Sequence, residues 1–179
     1  MIGSQSHNML GIDIVDIKDP SFKERNERTL DLINNSEDVQ IEHPHLFWIL
    51  WSAKEAIFKC RREPINFAPT KIPVQLSNEG GEITFASGDL KGKVTIKDEY
   101  ILATCGDLDS LQIHVFEKKD NNWSEGIRFM IIEYFRDLGH DYHIGSDDLN
   151  LPIIEPSKQE ISISHHGRYG AVAFKKSLL

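Results

Sequence analysis

Residues 45–60 read HLFWILWSAKEAIFKC, and this stretch decides the fold. At about 100° per residue, Phe47, Trp48, Ile49, Leu50, Trp51, Ala53, Ala56, Ile57 and Phe58 occupy nearly the whole circumference of a helix. A helix that is apolar all round is a buried helix. Ser52, Glu55 and Lys59 fall within a sector of roughly 60°, so the one polar strip carries a carboxylate and an ammonium one turn apart. At a surface this is an ordinary i, i+4 pair worth a few tenths of a kcal/mol. On a buried helix it marks the place for a site.

Upstream, LGIDIVDI at residues 10–17 reads as a strand. Alternation puts Leu10, Ile12 and Ile14 on one face and Gly11, Asp13 and Val15 on the other. A carboxylate between glycine and valine has to be satisfied by backbone hydrogen bonds or by a cation, because burying it unpaired is expensive. The functional reading pairs Asp13 with Glu55 as ligands of a hard divalent cation, since Mg²⁺ typically takes one or two carboxylates and fills its octahedron with water and phosphate oxygens. Lys59 then faces the phosphate.

Between the two segments, Ser21 and Glu24 form a capping box for a helix expected to run to about Asn34, loaded with Lys23, Arg25 and Arg28. After Pro64 the pattern turns to strands at residues 73–76, 82–87, 93–96, 99–105 and 111–117, separated by turn signals and expected to form an antiparallel sheet. Residues 119–122 mark a boundary. Trp123, Ile127, Ile131, Tyr134, Phe135 and Leu138 then recur at helical spacing up to Gly139, and short strands follow at 151–154, 161–164 and 169–174. Strand runs interleaved with two long helices give an α+β class, with antiparallel sheets packed against helices.

The chain has 179 residues, 40% hydrophobic and 27% charged, as expected of a globular protein. A net charge of −8 argues against broad nucleic-acid binding, which needs a field of lysine and arginine. Cys60 and Cys105 have no metal-ligand spacing and build no disulfide framework. His43 and His45, like His140 and His143, lie in polar loops without a third ligand and read as solvated. The longest apolar stretch is far shorter than the roughly 20 residues of a spanning helix and the N-terminus lacks a leader pattern, so no membrane association and a cytoplasmic location are expected.

Gly11-Ile12-Asp13, followed about 40 residues later by Trp51-Ser52-Ala53-Lys54-Glu55-Ala56-Ile57-Phe58-Lys59, resembles the two-part signature of the 4'-phosphopantetheinyl transferase superfamily: G-[IV]-D, then [FW]-[SCT]-x-K-E-[AS]-x-x-K. Ile161-Ser162-Ile163-Ser164-His165, before a turn and Ala171-Val172-Ala173, is similar to the family's third motif. The resemblance implies a holo-acyl-carrier-protein synthase-like enzyme that moves the phosphopantetheine arm of coenzyme A onto a serine of an apo carrier protein, with Mg²⁺.

Carried over, Asp13 and Glu55 become metal ligands, Glu55 and Lys59 catalytic residues, and Ser164 with His165 contacts to the nucleotide phosphate of coenzyme A. Lys54, the motif's other lysine, and Arg61 just beyond it are counted with the cofactor contacts. The proton acceptor stays open between Glu55 and a metal-bound water. Val15 stands where one subgroup has a further acid, which leaves Asp16 as a stand-in, and Cys60-Arg61-Arg62-Glu63 replaces glycines found in many relatives. A non-catalytic relative that binds a carrier protein or a nucleotide is the alternative.

The order of motifs suggests two related halves in the reverse of the usual order: residues 9–118 with the metal motifs and 123–179 with Ser-His, after a disordered 1–8. The active site is then expected at their junction or between chains of an oligomer. Carrier proteins are typically acidic, so the Lys23–Arg28 helix is the expected docking face.

Overall fold

The computed structural model describes residues 10–20, 27–63, 65–118 and 126–179, and of Glu27 and Arg28 the backbone alone. The expectations for residues 1–8, for the boundary at 119–122 and for Lys23, Arg25 and the Arg28 side chain lie outside the described residues.

β1 (Leu10–Asp16) is followed by α1 (Glu27–Leu30) and α2 (Leu46–Arg61). Four strands come next: β2 (Gln75–Glu79), β3 (Glu82–Ser87), β4 (Leu90–Ile96) and β5 (Tyr100–Gly106). β6 (Leu111–Glu117) leads to α3 (Ile127–Asp137), then β7 (His143–Ser146), β8 (Pro152–Glu155), β9 (Gln159–Glu160), β10 (Ser162–His166) and β11 (Tyr169–Lys175). The strands form three sheets, ordered β1-β5-β4-β3-β2, β10-β11-β6 and β7-β8-β9. Every pairing within them is antiparallel, and the fold is α+β. The first helix ends at Leu30 rather than Asn34, and a closing turn follows in which the Ile33 and Asn34 N–H groups share the Leu30 carbonyl. β7 and β9 are additions to the strands expected from the sequence.

β1 is buried along its whole length. Val15 joins Ile49, Leu50, Ala53, Ala56 and Ile57 of α2 in one core. Leu10, Ile12 and Ile14, on the other face, pack with Tyr169, Ala171 and Ala173 of β11. β11 is itself two-faced. Its small alanines let the sheets approach, while Val172 and Phe174 join Ile131 and Phe135 of α3 in a further core.

β6, grouped by the sequence with the strands before it, pairs with β11 over its full length. The first sheet is therefore joined to the second through chain continuity and through the free edge of β1. Along that edge the N–H groups of Ile12, Ile14 and Asp16 donate to Ser162 Oγ (3.0 Å), Ser164 Oγ (3.3 Å) and His166 Nδ1 (3.2 Å). Side chains of β10 thus satisfy an edge whose exposed N–H groups would otherwise invite a foreign strand.

Candidate active site

Gly11, Ile12 and Asp13 divide the work of β1. Gly11 lets the α2 backbone lie against the strand, since a Cβ there would stand 2.0 Å from the Ala56 carbonyl oxygen. Ile12 fills the opposite core. Asp13, on the α2 side, is 3% exposed.

Two side chains converge on the Asp13 carboxylate. Ser164 Oγ donates to Asp13 Oδ1 at 2.7 Å. Lys59 Nζ donates to the same oxygen at 3.3 Å and to the Ile12 carbonyl at 3.0 Å. Lys59 also lies 3.1 Å from Glu55 Oε1, so one ammonium bridges the two carboxylates. Glu55 Oε2 accepts from Trp51 Nε1 at 3.1 Å. Asp13 Oδ2 is buried and has no hydrogen-bond partner among the described residues. Burial pushes the Asp13 pKa up to about 6, Lys59 opposing the rise and Glu55 adding to it. Low-dielectric surroundings disfavour the anion unless a cation compensates it.

His165 follows Ser164 on β10 but is exposed. Its pKa is lowered by partial burial first, then by the Lys59 ammonium and His166, with Glu55 opposing. The imidazole is therefore within electrostatic reach of Lys59 and Glu55. A cleft of ≈ 200 Å³ adjoins the Asp13 cluster, lined by Phe58, Lys59 and Arg62 of the α2 end and by Pro152, Ile161 and Ile163 across from them.

Asp13, Glu55, Lys59, Ser164 and His165 are therefore brought together by one chain; Lys54 and Arg61 are not. Lys54 is fully buried, and its ammonium donates to Asp38 Oδ2 (2.7 Å), the Pro69 carbonyl (3.0 Å) and the Ile72 carbonyl (2.8 Å). All three N–H groups are used, which leaves none for a cofactor. Arg61 points to Ser87 Oγ at 3.2 Å.

Asp16 does not stand in for a missing metal ligand. It is fully buried on the face opposite Asp13 and accepts from Lys18 N (2.8 Å), Arg168 N (3.0 Å) and Arg168 Nε (3.2 Å). Its task is to hold the β10–β11 turn. Just past the end of α2, Arg62 takes the left-handed conformation at φ 49°. Ion pairs to Asp147 (2.6 Å) and Glu160 (3.4 Å) tie it to the second half.

Trp51 and the Ile12 carbonyl belong to the cluster without having been singled out for it. The i, i+4 spacing of Trp51 to Glu55 is the available signal for the first; a backbone carbonyl leaves none. His43 and His45 have ring centroids 5.8 Å apart, and His140 stacks on Tyr142. Among the described residues no three His, Cys, Asp or Glu side chains gather into a metal-binding group, and no helix is long and apolar enough to cross a membrane.

The family model described as the 4'-phosphopantetheinyl transferase superfamily matches residues 9–105. No curated protein and no solved structure matches the chain. The match spans more than half of the 179 residues and contains Asp13, Glu55 and Lys59 in the arrangement just described, so the chain belongs to the 4'-phosphopantetheinyl transferase superfamily.

Proposed function

We propose that this transferase moves the 4'-phosphopantetheine group of coenzyme A to a serine hydroxyl of an apo carrier protein, with Mg²⁺ held by Asp13 and Glu55. The observation that carries the reading is Asp13 Oδ2: a buried carboxylate oxygen without a partner among the described residues, within a cluster that already contains a second carboxylate. An orphaned buried acceptor of this kind costs about 1–3 kcal/mol or more, and a hard cation is the group that would satisfy it. Two carboxylates without a third ligand suit Mg²⁺, which keeps open positions for water and phosphate. When bound, the ion supplies neutralisation of the diphosphate charge.

The residues of the chain account for the rest. In the transfer, the serine oxygen forms a bond to the phosphorus on the pantetheine side of the diphosphate. The bond from that phosphorus to the bridging oxygen breaks, and adenosine 3',5'-bisphosphate leaves. Lys59 offers a fixed cation where negative charge grows on the phosphoryl oxygens. Glu55, the more open carboxylate with 26% of its side chain exposed, is oriented by Trp51 and stands ready to take the serine proton. His165, exposed and within electrostatic reach of Lys59, provides a donor for the nucleotide phosphate.

We read the carrier protein as an acidic partner of the fatty-acid or polyketide kind, and the chain as two related halves, 9–118 and 123–179, in reversed order. Separate cores under α2 and α3 support that division. The test is incubation of the purified protein with coenzyme A, Mg²⁺ and a panel of apo carrier proteins, followed by intact mass. A phosphopantetheine mass gain that Glu55→Gln abolishes is expected. Coenzyme A binding without transfer to any carrier would favour a non-catalytic relative, and no binding would overturn the cofactor assignment.

A further inference from the structure

We propose that Ser164 is the positioning residue of the cation site: its hydroxyl fixes the Asp13 carboxylate so that Oδ2 is presented to the divalent ion, rather than contacting a cofactor phosphate. The proposal rests on the metal reading above.

A serine hydroxyl has one hydrogen to give. Here it goes to Asp13 Oδ1 at 2.7 Å, an acceptor-only partner, with both side chains buried. Ser164 Oγ itself accepts the Ile14 N–H at 3.3 Å. Asp13 and Ile14 are neighbours on β1, so Ser164 closes a bracket on one strand, gripping its backbone and its carboxylate together. Rotating the carboxylate would break the shorter bond. Oδ2 therefore stays pinned where no hydrogen-bond partner among the described residues meets it. Hydrogen-bonded partners that orient metal-binding carboxylates commonly matter 10–100-fold for affinity.

Alternation along β10 separates the two residues of the Ser-His pair. Ser162, Ser164 and His166 face β1, whereas His165 is exposed and only within electrostatic reach of Lys59 and Glu55. With the Ser164 hydrogen committed to Asp13, a phosphate contact by the Ser-His pair falls to the exposed His165. The rungs from Ser162 to Ile12 and from His166 to Asp16 hold β10 in register independently of Ser164. Ser162 thus supplies a matched control: a buried serine making the same bond to a β1 N–H with no carboxylate attached.

The experiment is calorimetric titration of Mg²⁺ into the full chain without coenzyme A, where a phosphate contact has nothing to touch. Ser164→Ala is expected to weaken Mg²⁺ binding on the order of 10–100-fold, Ser164→Thr to restore it, and Ser162→Ala to leave it at the wild-type value. Ser164→Cys, of similar size with a weak S–H donor, is expected to fall between and carries the test if the alanine variant does not fold. Wild-type Mg²⁺ affinity in both Ser164→Ala and Ser164→Cys, or an equal loss in Ser162→Ala, would overturn the positioning role while leaving the metal reading intact. A wild-type chain that takes up no Mg²⁺ would overturn both.

Discussion

Gly11 and Ala56 meet backbone to backbone: a Cβ on Gly11 would lie 2.0 Å from the Ala56 carbonyl oxygen, and 2.6 Å from the Cys60 nitrogen. That contact seats α2 on β1 and brings the Glu55–Lys59 turn down onto Asp13, two residues further along the strand. Added methyl groups in a packed core commonly cost about 1–3 kcal/mol, and more where backbone rather than a side chain must give way. Gly11→Ala is therefore expected to lose at least about 3 kcal/mol, read from the urea midpoint. A wild-type midpoint would mean that α2 is not seated on β1 in this way.

Lys54 and Asp38 form an ion pair with both side chains fully buried. Asp38 also accepts from Val74 N and Asn35 N, so the pair ties the loop after α1 to α2 and to the start of β2. Breaking a buried pair by removing one partner strands the other charge, a loss of about 3–5 kcal/mol. Lys54→Met should lower thermal stability by that order yet keep Mg²⁺ affinity in the folded fraction. A stable variant with impaired coenzyme A binding would return Lys54 to the cofactor.

The same lysine shows what the sequence can and cannot convey. β1 and α2 are legible because their periods of 2 and 3.6 separate the faces cleanly, and Asp13, Glu55 and Lys59 follow from those faces. Lys54 sits next to Glu55 in the motif, but its partner Asp38 is a loop acid with no local pattern to mark it. Ser162, Ser164 and His166 alternate visibly, yet their target is a strand 150 residues earlier, a distance no local period records. β7 and β9 leave no signal for a simpler reason: His143–Ser146 reads HIGS, with a single large apolar residue, and β9 is two residues long, so neither shows alternation.

Arg62 holds a left-handed backbone at φ 49° and ψ 38°, a conformation glycine adopts at no steric cost. Its ion pairs with Asp147 and Glu160 offset a strain of about 1–2 kcal/mol. Arg62→Ala loses the pairs and keeps the strain; Arg62→Gly loses both. The glycine variant should be the more stable of the two by about 1 kcal/mol in thermal unfolding. Equal stabilities would show that the backbone there relaxes.

Asp13 links the site to pH. Its pKa in the folded chain is pushed up to about 6, chiefly by burial, so the folded form holds the proton more tightly than the unfolded one. For an acid shifted upward, Asp13 favours the folded state at low pH, and that contribution is lost as pH rises from the ordinary carboxylate range through about 6. Asp13→Asn, which cannot ionise, should therefore make the metal-free protein more stable at pH 7 than the wild type, with the advantage vanishing near pH 4. On the proposed metal reading Mg²⁺ reverses the sense, because it would bind the anion and have to displace the proton. Mg²⁺ affinity should fall about tenfold per pH unit below about 6, with uptake releasing a proton there and none at pH 8. Calorimetry in buffers of different ionisation enthalpy reads that proton directly. A flat affinity from pH 5 to 8 would mean that Asp13 is already ionised without metal, and that Lys59 compensates its burial in full.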